Sequence, residues 1–300
     1  MDLKDMQREK PLQGKVAVVA GATRGAGRGI AVMLGAAGAT VYCTGRSVRG
    51  QASDIGRSET IDDTAEMVTA RGGKGIPVRT DHTSEEQVQA LFARVQEEQE
   101  GRLDILVNDI WGGENLTHWN TPFWEQPLAD GLLMQERVVK THMITSYYGA
   151  PLMVKRKAGL IIEVTDGSTY NYRGNLYYSL AKISPIHLAA AMAEELRSFN
   201  VTALAVTPGF LRSEQMLDYF GVAESNWRDA IQKEPHYAES ETPYFVGQAV
   251  AALAADPKVA DKAGKPLTSW DLSDEYGFAD IDGRKPHWGN YARRQGLPVN

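Results

Sequence analysis

Tyr178 and Lys182 stand four residues apart in the stretch YYSLAK. On a helix that spacing brings a phenol and an ammonium onto one face. The ammonium favours the phenolate and moves a group with a pKa near 10 toward working pH, where it serves as a general acid or base. Taken alone, Y-x-x-x-K is a chance pattern. What gives it weight is a second set of residues far upstream.

Gly21-Ala22-Thr23-Arg24-Gly25-Ala26-Gly27 has a G-x-x-x-G-x-G spacing. Glycines let the backbone turn tightly and approach a pyrophosphate, while a helix N-terminus behind them offers free N–H groups and a positive dipole end. Structural turns also produce bare glycine motifs. After a first apolar strand, the motif predicts dinucleotide binding through Gly21, Thr23, Arg24, Gly25, Ala26 and Gly27. NAD(H) sites commonly place an Asp or Glu at the end of the second strand to hold the ribose 2′-OH. Here Gly45 stands there, followed by Arg46, with Arg24 in the glycine loop. Two guanidinium groups suit a 2′-phosphate, which favours NADP(H) over NAD(H); the alternative is that both arginines simply face water. Asp81, just beyond the third strand, is placed either to accept from the adenine amino group or to cap the next helix.

The elements that must position these groups follow from hydrophobic period. Lys15–Ala20 reads as a buried strand, then the glycine turn, a helix over Gly27–Ala37 and a strand over Thr40–Thr44. A polar segment to about Ser58 precedes a helix near Ile61–Arg71, a strand near Ile76–Arg79, and a helix opened by Thr83 with Glu86 as a capping box. Asp104–Asn108 is a strand, Trp111–Phe123 an aromatic loop and Leu128–Val154 one long helix. Leu160–Val164, a helix over Tyr177–Phe199 and the strand Val201–Val206 complete another β-α-β unit. Continuous apolar strands alternating with helices indicate one α/β domain, a Rossmann-type, doubly wound parallel sheet with helices on both faces. Residues 213–242 interrupt the rhythm and read as a helical flap over the site.

With the glycine motif, Asn108 and the Tyr178–Lys182 pair in this order, the chain resembles the short-chain dehydrogenase/reductase family over roughly residues 12–270. The C-terminal stretch Tyr276–Arg284 also looks like one branch of it. The resemblance implies that Tyr178 protonates a carbonyl oxygen as hydride arrives from the nicotinamide, and that Lys182 also holds the nicotinamide ribose. Asn108, Pro208, Gly209, Leu211 and Ser213 fall where the family contacts the cofactor, and a homodimer or homotetramer packed through the long helices is implied. Three departures stand out. The family's N-N-A-G is Asn108-Asp109-Ile110-Trp111, its asparagine on the long helix is Val138, and Asp166 occupies the place of its catalytic serine, beside Thr165 and near Ser168. Asp166 is expected to be protonated, its pKa raised by burial, and to donate like the missing hydroxyl; otherwise Thr165 or Ser168 takes that role. Pro185 lies inside the catalytic helix, where it removes the bond to the Ala181 carbonyl and should kink the helix, tolerably or with a shift of Lys182.

On the substrate side, Trp111, Trp119, Phe123, Trp124, Tyr170 and Tyr172 are divided between packing and lining a pocket for a bulky apolar or aromatic carbonyl compound. His118 and His142 lack partners at metal-ligand spacing and are read as non-metal. A net charge of −6 with no basic run leaves no footprint for nucleic acid. Lys155–Lys157 reads as a solvated helix C-terminus. One cysteine, Cys43, excludes an internal disulfide. The charged leader Met1–Gly14 lacks an apolar h-region and no stretch reaches membrane-span length, so a soluble, cytoplasmic protein is expected. The residues point to an NADPH-dependent oxidoreductase acting on a small-molecule carbonyl or alcohol. Two rivals are a lyase or isomerase using the bound cofactor, which Asp166 makes conceivable, and a non-catalytic cofactor sensor.

Overall fold

Residues 7–298, apart from 52, 54 and 55, are described by a computed structural model; the first six residues of the charged leader lie outside them. Among the described residues seven strands form one parallel sheet in the order β3-β2-β1-β4-β5-β6-β7. They are β1 (Val16–Ala20), β2 (Thr40–Gly45), β3 (Lys74–Arg79), β4 (Ile105–Asn108), β5 (Gly159–Val164), β6 (Val201–Thr207) and β7 (Pro266–Thr268). β1 and β4 are buried at every position, as a strand covered on both faces must be. The chain reverses its direction of travel between β1 and β4, so a crevice opens beyond their C-terminal ends.

One layer holds α1 (Gly25–Ala36), α2 (Ile61–Ala70) and, farther along the chain, α8 (Pro243–Ala255). α1 and α8 approach closely enough that a Cβ on Gly29 would lie 2.0 Å from the Pro243 carbonyl oxygen. The other layer contains α3 (Glu85–Glu98), α5 (Thr141–Arg156) and α6 (Leu176–Leu196), with α4 (Leu128–Gln135) preceding α5. The expected single helix over 128–154 is divided by a π turn at Glu136–Lys140, which carries Val138. α6 continues through Pro185 to Leu196.

Local chemistry corrects one boundary. Thr83 does not open α3, because Asp81 Oδ1 takes both its N–H, at 2.9 Å, and its hydroxyl, at 2.7 Å. The cap is Ser84, whose side chain accepts the Gln87 N–H. The capping box of this region lies at α2 instead, between Thr60 and Asp63.

Between sheet and α5 lies a buried polar cluster. Glu163, on β5, has no exposed surface, so its charge requires partners. His142 Nδ1 lies 2.5 Å from Glu163 Oε2, and Asn108 Nδ2 donates to Glu163 Oε1 at 2.7 Å and to Ser146 Oγ at 2.9 Å. His142 Nε2 faces the Ile110 carbonyl at 3.2 Å, so this cluster fixes the loop leaving β4.

Residues 213–242 do fold helically, as α7 (Glu214–Phe220) and two 3-10 segments at Glu224–Gln232 and Pro235–Glu239. The wholly buried Arg212 anchors them to the C-terminal segment by pairing with Glu224 and Asp282, each at 2.8 Å. α9 (Ser269–Tyr276) and α10 (Trp288–Gln295) then bring the chain back to the crevice.

Candidate active site

The crevice is a cavity of about 860 Å³ that reaches from the glycine loop to the C-terminal segment. Gly21 has φ +90°, and a Cβ there would lie 2.2 Å from the Asp109 carbonyl oxygen; only glycine allows β1 to turn so close to the strand beside it. Gly27 plays a backing role rather than lining the cavity, since its Cβ position is 2.3 Å from the Gly21 carbonyl oxygen. Gly25 N–H donates to the carboxylate of Glu214 at 2.7 Å, and Arg28 lies 3.3 Å from the other oxygen of that carboxylate. An anion thus rests against the N-terminus of α1, the chemistry that a cofactor phosphate requires there. Nothing in the sequence around Glu214 marks it for that position.

At the adenosine end, Arg24 and Arg46 both line the cavity, joined by Arg79 from the end of β3, which sequence reasoning missed. Arg24 Nε is buried without a hydrogen-bond partner and lies 3.7 Å from Glu59. Gly45 has no room for a carboxylate side chain, because a Cβ would meet Thr23 Oγ1 at 2.6 Å. Asp81 lines the cavity while capturing Thr83, so its carboxylate is partly committed to the turn. The donors and glycine cradle fit a dinucleotide.

Asn108 is a correction. Its amide faces the buried Glu163–Ser146 pair instead of the cavity, and Asp109 lines the wall in its place. Burial pushes the Asp109 carboxyl up to about 7, against the opposing pull of Lys182 and His142.

The helix carrying the chemical pair starts where Asn175 accepts the Tyr178 N–H at 3.1 Å and donates through its amide to Gln126 and to the His118 carbonyl, each at 3.0 Å. Tyr178 and Lys182 then face the cavity together. The Tyr178 ring makes edge contacts with Trp111 and Trp119 at centroid distances of 5.7 and 5.1 Å. Lys182 Nζ lies 3.9 Å from the Trp111 ring centroid and 5.7 Å from that of Tyr178. Burial holds the lysine below its usual pKa, opposed by Asp166, Asp109 and Glu114.

Two expectations about this end are corrected. Tyr178 is not drawn toward neutral pH in this state: burial foremost, then the charge and hydrogen bond of Asp166, raise it well above 10, with Arg173 opposing. Asp166 is not buried; it is exposed at the cavity wall and accepts the Tyr178 hydroxyl at Oδ2, 2.6 Å away. The burial that was to hold it protonated is therefore lacking. Thr165 lines the cavity, but its hydroxyl donates to the Lys182 carbonyl. Ser168 does not line the cavity. Arg173 escaped notice in the sequence: only the fold buries its guanidinium beneath Gly167, where a Cβ would lie 2.0 Å from Nη1.

Pro208, Gly209, Leu211 and Ser213 line the cavity, and Ser213 also caps α7. Of the six aromatic residues proposed for the substrate side, Trp111 alone is among the lining residues. Trp119 packs on Tyr178, and Phe123, Trp124, Tyr170 and Tyr172 are exposed outside the wall. The apolar wall comes from Phe210, Met216, Trp270, Trp288, Leu297 and Pro298. His118 pairs with Asp130 at 2.7 Å. Among the described residues no helix is long and apolar enough to cross a membrane.

A family model described as short chain dehydrogenase matches residues 15–220. Dehydrogenase/reductase SDR family member 1 of Mus musculus is 38% identical over 278 residues, which cover 91% of this chain and 85% of that protein. It represents the branch that Tyr276–Arg284 resembles. A short chain dehydrogenase of Mycobacterium thermoresistibile shares the fold, with TM-score 0.76 and 23% identity over 96% of this chain and 95% of its own. A 7 alpha-hydroxysteroid dehydrogenase solved with NADH and 7-oxo glycochenodeoxycholic acid aligns with TM-score 0.67 and 27% identity, covering 87% of this chain and 94% of its own. The glycine-loop crevice, the paired Tyr178 and Lys182, and these matches have one explanation: the chain belongs to the short-chain dehydrogenase/reductase family of oxidoreductases.

Proposed function

We propose that the protein uses NADP(H) to interconvert a bulky apolar or aromatic ketone and its alcohol, with Tyr178 as general acid and base. One observation carries this reading: Tyr178 and Lys182 share a single cavity with the glycine loop and with Arg24, Arg46 and Arg79. When bound, the dinucleotide supplies or accepts the hydride. The Gly25 and Ala26 region at the N-terminus of α1 holds the pyrophosphate, and the arginines hold the 2′-phosphate. Lys182 binds the nicotinamide ribose, and its charge favours the phenolate of Tyr178 once the proton has left. Tyr178 delivers that proton to the substrate oxygen. Phe210, Trp270 and Trp288 exclude water from an apolar substrate, and residues 213–242 act as the flap above it.

The hydroxysteroid dehydrogenase neighbour was solved with NADH, so kinship does not select the cofactor; the arginines and Gly45 support NADP(H). The reading includes a cytoplasmic homodimer or homotetramer packed through α4, α5 and α6, whose outward Leu132, Tyr147 and Leu180 are exposed. The test combines titration of NADPH and NADH by tryptophan fluorescence with NADPH consumption over a panel of ketones and quinones. Oxidation of NADPH by members of the panel supports the reading. Tight cofactor binding with no consumption of NADPH or reduction of NADP by any ketone or alcohol overturns it in favour of a sensor or a lyase.

A further inference from the structure

A phenol that gives its proton to a substrate must be reprotonated before the next turnover, and the cavity offers unequal routes. On one flank Lys182 is half-buried and backed by apolar side chains. Its ammonium lies over the Trp111 ring at 3.9 Å, and beside it Met134, Val138 and Ala181 form a buried apolar cluster with Trp111, Leu116 and Tyr177 packed against it. Val138 itself is 2% exposed. An aliphatic side chain there carries no proton and holds no water.

On the other flank the Tyr178 hydroxyl donates straight to Asp166 Oδ2 at 2.6 Å, and Asp166 is open to solvent. A buried guanidinium stands beside it. Arg173 is only 7% exposed, and its Nη2 donates to the Thr169 carbonyl at 2.6 Å. Its Nε and Nη1 are buried without hydrogen-bond partners, so the guanidinium depends on nearby negative charge. Asp166 supplies that charge, and among the described residues the charged or titratable groups facing it are Arg173, Tyr178 and Lys182.

We propose that Asp166 is a catalytic proton relay, linking the Tyr178 hydroxyl to bulk water along the short path that replaces the serine and long-helix asparagine of the family. The inference rests on the oxidoreductase reading. In the reducing direction the Tyr178 O–H bond breaks as an O–H bond forms on the substrate oxygen, which leaves a phenolate. Asp166, protonated from water or buffer, passes its proton along the existing hydrogen bond, restoring the phenol and leaving a carboxylate. In alcohol oxidation each proton transfer reverses. Asp109 and Glu114 are the competing carboxyls; Asp109 is packed against the glycine loop, Glu114 lines the cavity on the Lys182 side, and the Tyr178 hydroxyl bonds to Asp166 rather than to either.

The test uses the full chain with Asp166→Ala, Asp166→Ser and Asp109→Asn. Asp166→Ala is expected to lose about a hundredfold in turnover, the lower part of the range for a positioned acid–base group. Formate, acetate or imidazole should restore it in proportion to concentration, because each carries protons to the vacated position. Asp166→Ser should show the same loss and rescue, since a serine hydroxyl has no accessible ionised form near neutral pH and so cannot take up and release a proton as a carboxyl does. In the cofactor-free protein, absorbance titration of the phenols against a Tyr178→Phe blank should show Tyr178 ionising at lower pH in Asp166→Ala. Full activity of Asp166→Ser without a carrier, or loss with carrier rescue in Asp109→Asn but not in Asp166→Ala, overturns the relay and leaves the oxidoreductase reading standing. A wild-type protein inactive with every carbonyl and alcohol overturns both.

Discussion

The carboxylate of Glu214 accepts the Gly25 N–H at 2.7 Å, joining α7 to the glycine loop across 189 residues of chain. In the proposed function it holds the position of a cofactor phosphate, so binding is expected to displace or repel it. Glu214→Gln keeps the acceptor oxygen and removes the charge. NADPH is expected to bind about fivefold tighter, equivalent to roughly 1 kcal/mol for an anion at a helix N-terminus. Fluorescence titration at low and high salt checks this. Weaker binding by the variant would show instead that Glu214 closes α7 over the bound dinucleotide.

NADPH should bind at least about tenfold tighter than NADH, a difference of about 1.4 kcal/mol. Arg24 and Arg46 line the cavity, where the proposed function has them pair a 2′-phosphate, and a Cβ on Gly45 would meet Thr23 Oγ1, which disfavours a carboxylate there for a 2′-OH. The double variant Arg24→Ala/Arg46→Ala is expected to bring the two constants together by weakening NADPH alone. Equal constants in the wild type would contradict the assignment.

Tyr178→Phe removes the proton donor and no expected cofactor contact. Turnover should disappear while the NADPH dissociation constant stays within about twofold. Lys182→Ala should damage both, because the proposed function has the same ammonium serve the ribose and the phenol. Wild-type turnover in Tyr178→Phe would remove the basis of the proposed chemistry.

Glu241 sets up a stability test unrelated to turnover. Its Oε2 accepts the Gly209 N–H at 2.8 Å and the Ser269 hydroxyl at 2.6 Å, and burial pushes the carboxyl up to about 8 against those two bonds and the charge of Arg212, with Asp280 reinforcing the rise. Because the folded value lies above the unfolded one, the folded state binds more protons between about pH 4.3 and 8. Stability from this group is therefore complete below the unfolded value and falls as pH rises through 8, by on the order of a few kcal/mol. Glu241→Gln mimics the protonated acid. Melting temperatures from pH 5 to 9 should decline less in the variant than in the wild type; identical slopes would show that Glu241 does not titrate in that window.

What the sequence determined by itself was local. The strands β1, β4, β5 and β6 could be read because an apolar run between turns has few other fates, and their alternation with helices requires a parallel sheet. The turn at Gly21 and the four-residue spacing of Tyr178 and Lys182 were legible for the same reason, since each depends on neighbours within a turn or two. The tertiary structure decided which charges are buried and which distant groups meet. Asn108 turns away from the cavity because Glu163 and Ser146 converge behind it. Asp166 stays in solvent while Arg173, seven residues later, is buried, a reversal that no composition signals. Trp288 and Leu297 reach the cavity from a C-terminal segment held in place by Arg212 through Asp282 and by Arg284 through the Ala238 and Ser240 carbonyls. Burial and charge pairing depend on what the folded chain packs around each group, and so they become defined only when the chain closes on itself.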